Sequence, residues 1–152
     1  MVLPAAGGEV RAFVGAKIIP VAAAEIPDGV LVVDGGTIAA VGERGSVAIP
    51  EGAEVVDLNG RVLFPGLVCT HSHIGNGSGG DRSGPIQPAV RILDSVDVRD
   101  HSFERARAGG ITLVNIMPGS GHLLSGQTIY LKLRDGNTIE DLAIKGADGS
   151  VA

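Results

Sequence analysis

Aromatic residues make up only 3% of the chain, Trp is missing, and there is a single cysteine, Cys69. A core must therefore be built from Val, Ile, Leu and Ala. One Cys excludes an intrachain disulfide and fits a reducing compartment. Positive charge is also scarce: 12 Lys and Arg stand against 17 Asp and Glu, a formal net charge of −5. Nucleic-acid surfaces need clustered Lys and Arg. The nearest approach to a cluster, Arg99, Arg105 and Arg107, reads as a solvated helix face. No segment reaches the roughly 18 apolar residues that span a bilayer. Residues 17–24 superficially resemble a secretion signal, with Ala22-Ala23-Ala24 as a cleavage-like site. Pro20 interrupts that short run and Glu9 stands where a basic region belongs, so a surface strand is expected instead. Together these absences predict a cytoplasmic protein with neither nucleic acid nor membrane as partner.

Glycine is abundant at 24 residues, and hydrophobic residues reach 44% against 19% charged. That balance suits a folded chain of short strands and tight turns. Residues 10–19 and 30–33 read as strands. Asp34-Gly35-Gly36 supplies a hairpin turn, and residues 37–41 return the chain. Segments 55–58 and 61–64 flank Asn59-Gly60, which predicts a second hairpin. Two hairpins and a leading strand make a small sheet, marginal by itself.

The texture changes at Pro65-Gly66. Residues 67–70 form a short apolar run suited to a strand buried on both faces, as in a parallel sheet. Residues 76–84, rich in Gly and Ser, predict a loop. A helix is expected over 98–108, with Asp97 or Asp100 as its cap and Gly109-Gly110 as its stop. Residues 111–116 give another buried strand, so strand, helix and strand form a βαβ unit. Beyond it, 128–133 reads as a strand and 138–141 as the opening of a short helix. Residues 146–152 resemble a loop with nothing to close a domain, and the chain is expected to be one piece of a longer polypeptide. No fixed-period repeat is present.

His71 and His73 are two apart at the carboxyl end of a predicted strand. Alternation places both imidazoles on one face. In parallel α/β architectures, ligands collect at that end. Two such rings can each bring a nitrogen about 2.0–2.1 Å from one zinc ion. The same spacing also arises by chance, with one ring exposed and the other bonded to the backbone.

The surrounding residues add to this. The run Gly60-Arg61-Val62-Leu63-Phe64-Pro65-Gly66-Leu67-Val68-Cys69-Thr70-His71-Ser72-His73-Ile74-Gly75 resembles the signature of the amidohydrolase superfamily. Asp34-Gly35-Gly36-Thr37-Ile38-Ala39-Ala40-Val41-Gly42 is similar to that family's N-terminal β-sandwich part. Ala108-Gly109-Gly110-Ile111-Thr112-Leu113-Val114 resembles its second barrel strand and lead-in. The segment from Met117-Pro118-Gly119-Ser120-Gly121-His122 to Ser125-Gly126-Gln127 is similar to the imidazolonepropionase-like branch.

The resemblance implies a mixed β and α/β fold. Residues 1–64 would form the β-sandwich part, and 65–152 the first strands and helices of a truncated (β/α)8 TIM-type barrel. It implies that His71 and His73 bind a divalent metal, zinc first, with Fe, Mn or Ni as alternatives and one or two ions in the site. It implies hydrolysis of a non-peptide or cyclic C–N bond in a small-molecule substrate, and a homo-oligomer. Ser120, His122 and Gln127 are candidate substrate-binding residues. His101, at the start of the predicted helix, is given no role. Many relatives carry Asp two residues before the first His, where this chain has Cys69. Strand alternation would put Cys69 beside the two His as a soft ligand, but a small buried hydrophobe is the preferred reading.

A complete barrel takes about 250 residues, more than this chain holds. The family's later ligands (a Lys or Glu, then two further His) and its catalytic Asp are expected beyond residue 152. The remainder of the barrel would come from the rest of the polypeptide or a second chain. The chain alone is expected to be inactive. Two other functions fit the same residues: a non-catalytic binding or assembly module derived from such a hydrolase, and a nucleobase-type deaminase.

Overall fold

The computed structural model describes residues 9–77, 81 and 83–151. The chain divides into two compact units, Met1–Pro65 and Gly66–Ala152. It is strand-rich with few helices.

The first unit is one mixed five-stranded sheet of β1 (Arg11–Ile18), β2 (Ile26–Asp34), β3 (Thr37–Glu43), β4 (Glu54–Asp57) and β5 (Val62–Leu63). Strand β1 alternates as period two requires: Ala12, Val14, Ala16 and Ile18 are buried and the residues between them are not. Ala12, Val14, Val30 and Val32 make a small core, with Val10, Ala40, Val47 and Ala53 packed on it. The turn at Gly35 and Gly36, both at positive φ, closes the β2–β3 hairpin as expected.

The expected second hairpin does not form. Strands β4 and β5 both pair in parallel with β1 and do not pair with each other. Asn59 and Gly60 are indeed left-handed, at φ 49 and 75. Their backbone instead makes a jog that matches a bulge in β1, where Gly15 has φ 67. Gly60 N donates to Gly15 O at 2.7 Å, and Leu58 N to Val14 O at 2.8 Å. Lys17 N then donates to Arg61 O at 3.0 Å, resuming the ladder. The open edge of β1 outcompetes local pairing, because it satisfies a longer run of backbone groups. Residues 19–25 also differ from expectation: they leave the sheet in an exposed bend and do not extend it as a surface strand.

The second unit contains β6 (Leu67–Ser72), a 3-10 turn (Ile92–Asp94), α1 (His101–Ala108), β7 (Ile111–Ile116), β8 (Ile129–Lys132) and α2 (Ile139–Leu142). The βαβ unit forms, with β6 and β7 parallel. Helix α1 begins where Asp100 accepts from Ser102 N at 2.8 Å and ends at Gly109. Arg99, Arg105 and Arg107 are exposed, as a solvated face requires. Helix α2 opens on a capping box between Thr138 and Asp141. Val114 and Ile116 of β7 join Ile92, Phe103, Ile129, Leu131, Leu133, Leu142 and Ala143 in the main core. Of the loop expected at 76–84, residues 78–80 and 82 lie outside the described residues.

One expectation is corrected here. Strand β6 is not buried on both faces: Leu67 is 50% and Val68 58% exposed. Among the described residues it pairs only with β7, which leaves one edge and one face uncovered. The strand at 129–132 does not continue the parallel sheet, because β8 is antiparallel to β7. The connection from β7 contains no helix to carry the chain back across the sheet, and parallel return needs such a crossover. Among the described residues no helix is long and apolar enough to cross a membrane.

Candidate metal centre

His71 sits in the last turn of the pleat of β6, and His73 just beyond it. Between Cys69 and Ser72 the strand carries a bulge: three residues of β6 advance against two of β7. The bulge overturns the simple alternation expected for Cys69. Cys69 and Ser72, three apart, are the residues of this strand that are at least partly buried, and Cys69 packs on the main core. Its thiol donates to His71 O at 3.2 Å. Cys69 thus behaves as a small core residue, while Thr70 and His71 are exposed.

The two imidazoles meet. Their Nε2 atoms are 3.3 Å apart, and the rings stand nearly perpendicular at 83°. Two nitrogens held about 2.0–2.1 Å from one tetrahedral ion must themselves lie about 3.3–3.4 Å apart. His73 Nδ1 is 2.9 Å from Met117 O. A carbonyl oxygen only accepts, so Nδ1 carries the proton and Nε2 presents its lone pair. Two arrangements satisfy the 3.3 Å contact. Either His71 donates an Nε2–H to His73, or both rings offer lone pairs to a shared cation. The donor set fits a divalent ion as half of a coordination sphere. Among the described residues no group of three or more His, Cys, Asp or Glu comes together as a fuller site.

Several contacts fix the strand end. Met117 N donates to Ser72 O at 3.1 Å, so Met117, just after β7, holds two successive residues, Ser72 and His73. Gly75 N donates to Ser102 Oγ at 3.0 Å, and Asp97 N to Gly75 O at 2.9 Å. Ser102 Oγ in turn donates to Asp100 Oδ1. Hydrogen bonds from the Ser102 hydroxyl and amide hold the Asp100 carboxyl below the usual carboxylate range, with a smaller contribution from His101. Gly75 has φ 67, and a Cβ there would come within 2.5 Å of Phe103, so the loop after His73 lies tight on α1.

The remaining sequence candidates are scattered. Ser120 is exposed and His122 half-buried, both on the segment after β7. His122 acts on Asp81, whose carboxyl is lowered first by hydrogen bonds from Ser83 and only slightly by the imidazole. Gln127 has its amide nitrogen on Pro88 O at 3.1 Å, and its backbone pairs with Val90 and Ile92. It ties the two segments together there. No hydrogen bond joins Ser120, His122 or Gln127 to the His pair among the described residues. His101 is exposed at the start of α1. Asn115 is the residue that sequence reasoning missed. It is 9% exposed on β7, with Nδ2 donating to Thr70 O at 3.3 Å. An Asn inside the apolar run 111–116 was the available signal.

Comparison with known proteins gives a consistent set of relatives. No family model matches the chain. An amidohydrolase of Hapsidospora irregularis is 31% identical over 93 residues, 55% of this chain and 10% of its own length. An imidazolonepropionase of Rhizobium rhizogenes is 39% identical over 104 residues, 66% of this chain and 23% of its own. The crystal structure of an amidohydrolase from Thermotoga maritima aligns with a TM-score of 0.73 at 38% identity, covering 82% of this chain and 34% of that one. The chain thus spans about a quarter or less of the curated relatives and a third of the solved structure.

Proposed function

The chain belongs with the N-terminal part of the amidohydrolase superfamily, and on that footing we propose that it contributes His71 and His73 to the divalent-metal site of a hydrolase acting on a non-peptide or cyclic C–N bond of a small molecule. The observation that carries this reading is the 3.3 Å separation of the two Nε2 atoms, with His73 Nδ1 committed to Met117 O. Imidazole nitrogens at that spacing suit zinc best, with Fe, Mn or Ni as alternatives. When bound, such an ion supplies Lewis acidity that lowers the pKa of water and polarises a carbonyl.

This chain's own residues orient the site. His73 is fixed in tautomer and direction by a main-chain acceptor, the usual arrangement for a metal-ligating imidazole. Gly75, Ser102 and Asp100 pin the loop that follows it. Two imidazoles hold an ion weakly, so the remaining ligands and the proton-transferring carboxylate come from the rest of the polypeptide or a second chain. The 152 residues taken alone are inactive in this reading. In the same proposal the first unit belongs to a β-sandwich part, β6 and β7 open a TIM-type barrel, and Ser120, His122 and Gln127 face the substrate side. The assembled protein is a cytoplasmic homo-oligomer.

The test is metal content and C–N hydrolase activity of the full-length protein against its His71→Ala variant. Loss of stoichiometric metal together with activity is expected. Stoichiometric metal and full activity in the variant would overturn the proposal.

A further inference from the structure

Asn115 is a buried polar side chain on β7, the strand that pairs with the His strand, and its two ends are treated differently. Its Nδ2 donates to Thr70 O, 3.3 Å away. That contact settles the orientation of the amide, because the opposite assignment would face two acceptors at each other. Its Oδ1 is then fully buried and has no hydrogen-bond partner among the described residues. Buried carbonyl oxygens of this kind normally have a donor, so an orphan beside a candidate site points to a group that docks there in the working state.

The neighbouring strand narrows the choice of donor. Val114 and Ile116 belong to the main core, so alternation sends Asn115 to the other face of β7. Beside it on β6, Cys69 packs on the main core and Ser72 is buried, while Thr70 and His71 are exposed. Thr70 O, which Asn115 already holds, is the carbonyl bonded to the His71 nitrogen. His73 has its Nδ1 satisfied by Met117 O. His71 Nδ1 has no comparable partner among the described residues, while its Nε2 is directed at His73.

We infer that Asn115 is a positioning residue for His71: Nδ2 braces the bulge through Thr70 O, and Oδ1 accepts from His71 Nδ1–H when His71 Nε2 is engaged by the metal. The inference rests on the proposed metal-binding role of His71 and His73. Both rings are then held alike, each with Nδ1–H on an oxygen of β7 or the residue just after it, one from the side chain of Asn115 and one from the main chain of Met117. A ligating imidazole whose outer nitrogen loses its acceptor typically binds metal 10–100-fold less tightly.

The experiment uses the full-length protein loaded with zinc. Zinc affinity is measured by chelator competition, and the His71 Nδ1–H is followed by exchange-sensitive 15N NMR, assigned with His71→Gln. The wild type is expected to show His71 ligated through Nε2 with its Nδ1–H protected from exchange. Asn115→Leu should lose that protection and bind zinc roughly 10–100-fold more weakly. Asn115→Asp keeps an acceptor but loses the Nδ2 donor to Thr70 O, so it should retain more His71 Nδ1–H protection and tighter zinc binding than Asn115→Leu. Wild-type affinity and unchanged His71 exchange in Asn115→Leu would overturn the inference. If that variant does not fold, an unprotected Nδ1–H or ligation through Nδ1 in the wild type overturns it just as directly. Zinc that is bound but insensitive to His71→Gln, or not bound at all, removes the underlying metal-site proposal and this inference with it. Zinc lost in His71→Gln but retained in Asn115→Leu removes only the role of Asn115.

Discussion

Gly66 faces Thr112 with no room for a methyl group, since a Cβ there would lie 2.2 Å from the Thr112 side chain. The Pro65-Gly66 pair is visible in the sequence, but its physical reason is not. The glycine lets the start of β6 approach β7 closely, where Leu67 N donates to Gly110 O at 2.9 Å. Gly66→Ala is expected to destabilise the second unit by about 1–3 kcal/mol, the usual cost of overpacking. Thr112→Ala should be mild alone and should recover part of that loss in the double variant. A denaturant-unfolding cycle over the four proteins checks this, and strict additivity would refute the contact. At this scale the closeness of the two imidazoles was legible from their spacing, although a bulge and not simple alternation shapes the strand there. Asn115 was not, because nothing local marks a polar residue in a buried run as having an unsatisfied oxygen.

Helix α1 shows how an element transmits its own capping chemistry to the site. Asp100 caps the helix, and Ser102 links that carboxylate to Gly75 in the loop after His73. The hydrogen bonds from Ser102 lower the Asp100 pKa in the folded chain. A carboxyl group with a lowered folded pKa contributes stability that is full above its unfolded value, about 3.9, and is lost as pH falls through the folded value. Hydrogen-exchange protection at the Gly75 amide should therefore decline as pH drops below about 4. Asp100→Asn, still a good cap, should remove that pH dependence. A Gly75 protection profile identical in both proteins would show that the link is not transmitted.

The ends of α1 and α2 could be anticipated because caps are local. The partners of β4, β5 and β8 could not. Asn59-Gly60 has the backbone of a turn, yet which edge its flanking strands join depends on β1, more than 40 residues earlier in the chain. Likewise, residues 129–132 carry a strand pattern that says nothing of direction.

At the scale of the whole molecule, half of the large apolar residues left exposed among the described residues lie on strands. Ile38, Val41, Val55 and Val62 are exposed in the first unit, and Leu67 and Val68 in the second. The composition, with its β-branched and aliphatic content, made strand-based cores foreseeable. How completely each sheet would be covered was not, since that depends on neighbours in space. An open strand edge with an apolar face favours edge-to-edge association. The 152-residue chain is therefore expected to self-associate as its concentration rises. Val68→Lys should suppress this in light scattering, because a charge on an edge strand opposes pairing. Equal scattering from both proteins would show that β6 is not the sticky edge.

The grip on His73 comes from the carbonyl of residue 117 and not from its side chain. Every amino acid brings the same oxygen, so this part of the site is invisible to point mutation. A saturation library at Met117 should leave the His73 ring orientation intact wherever the chain folds. The residues after β7 are thereby released to vary without loosening His73. Whatever a descendant of this protein learns to bind, it can vary the side chains at this end of the strand while the main-chain grip on His73 stays unchanged.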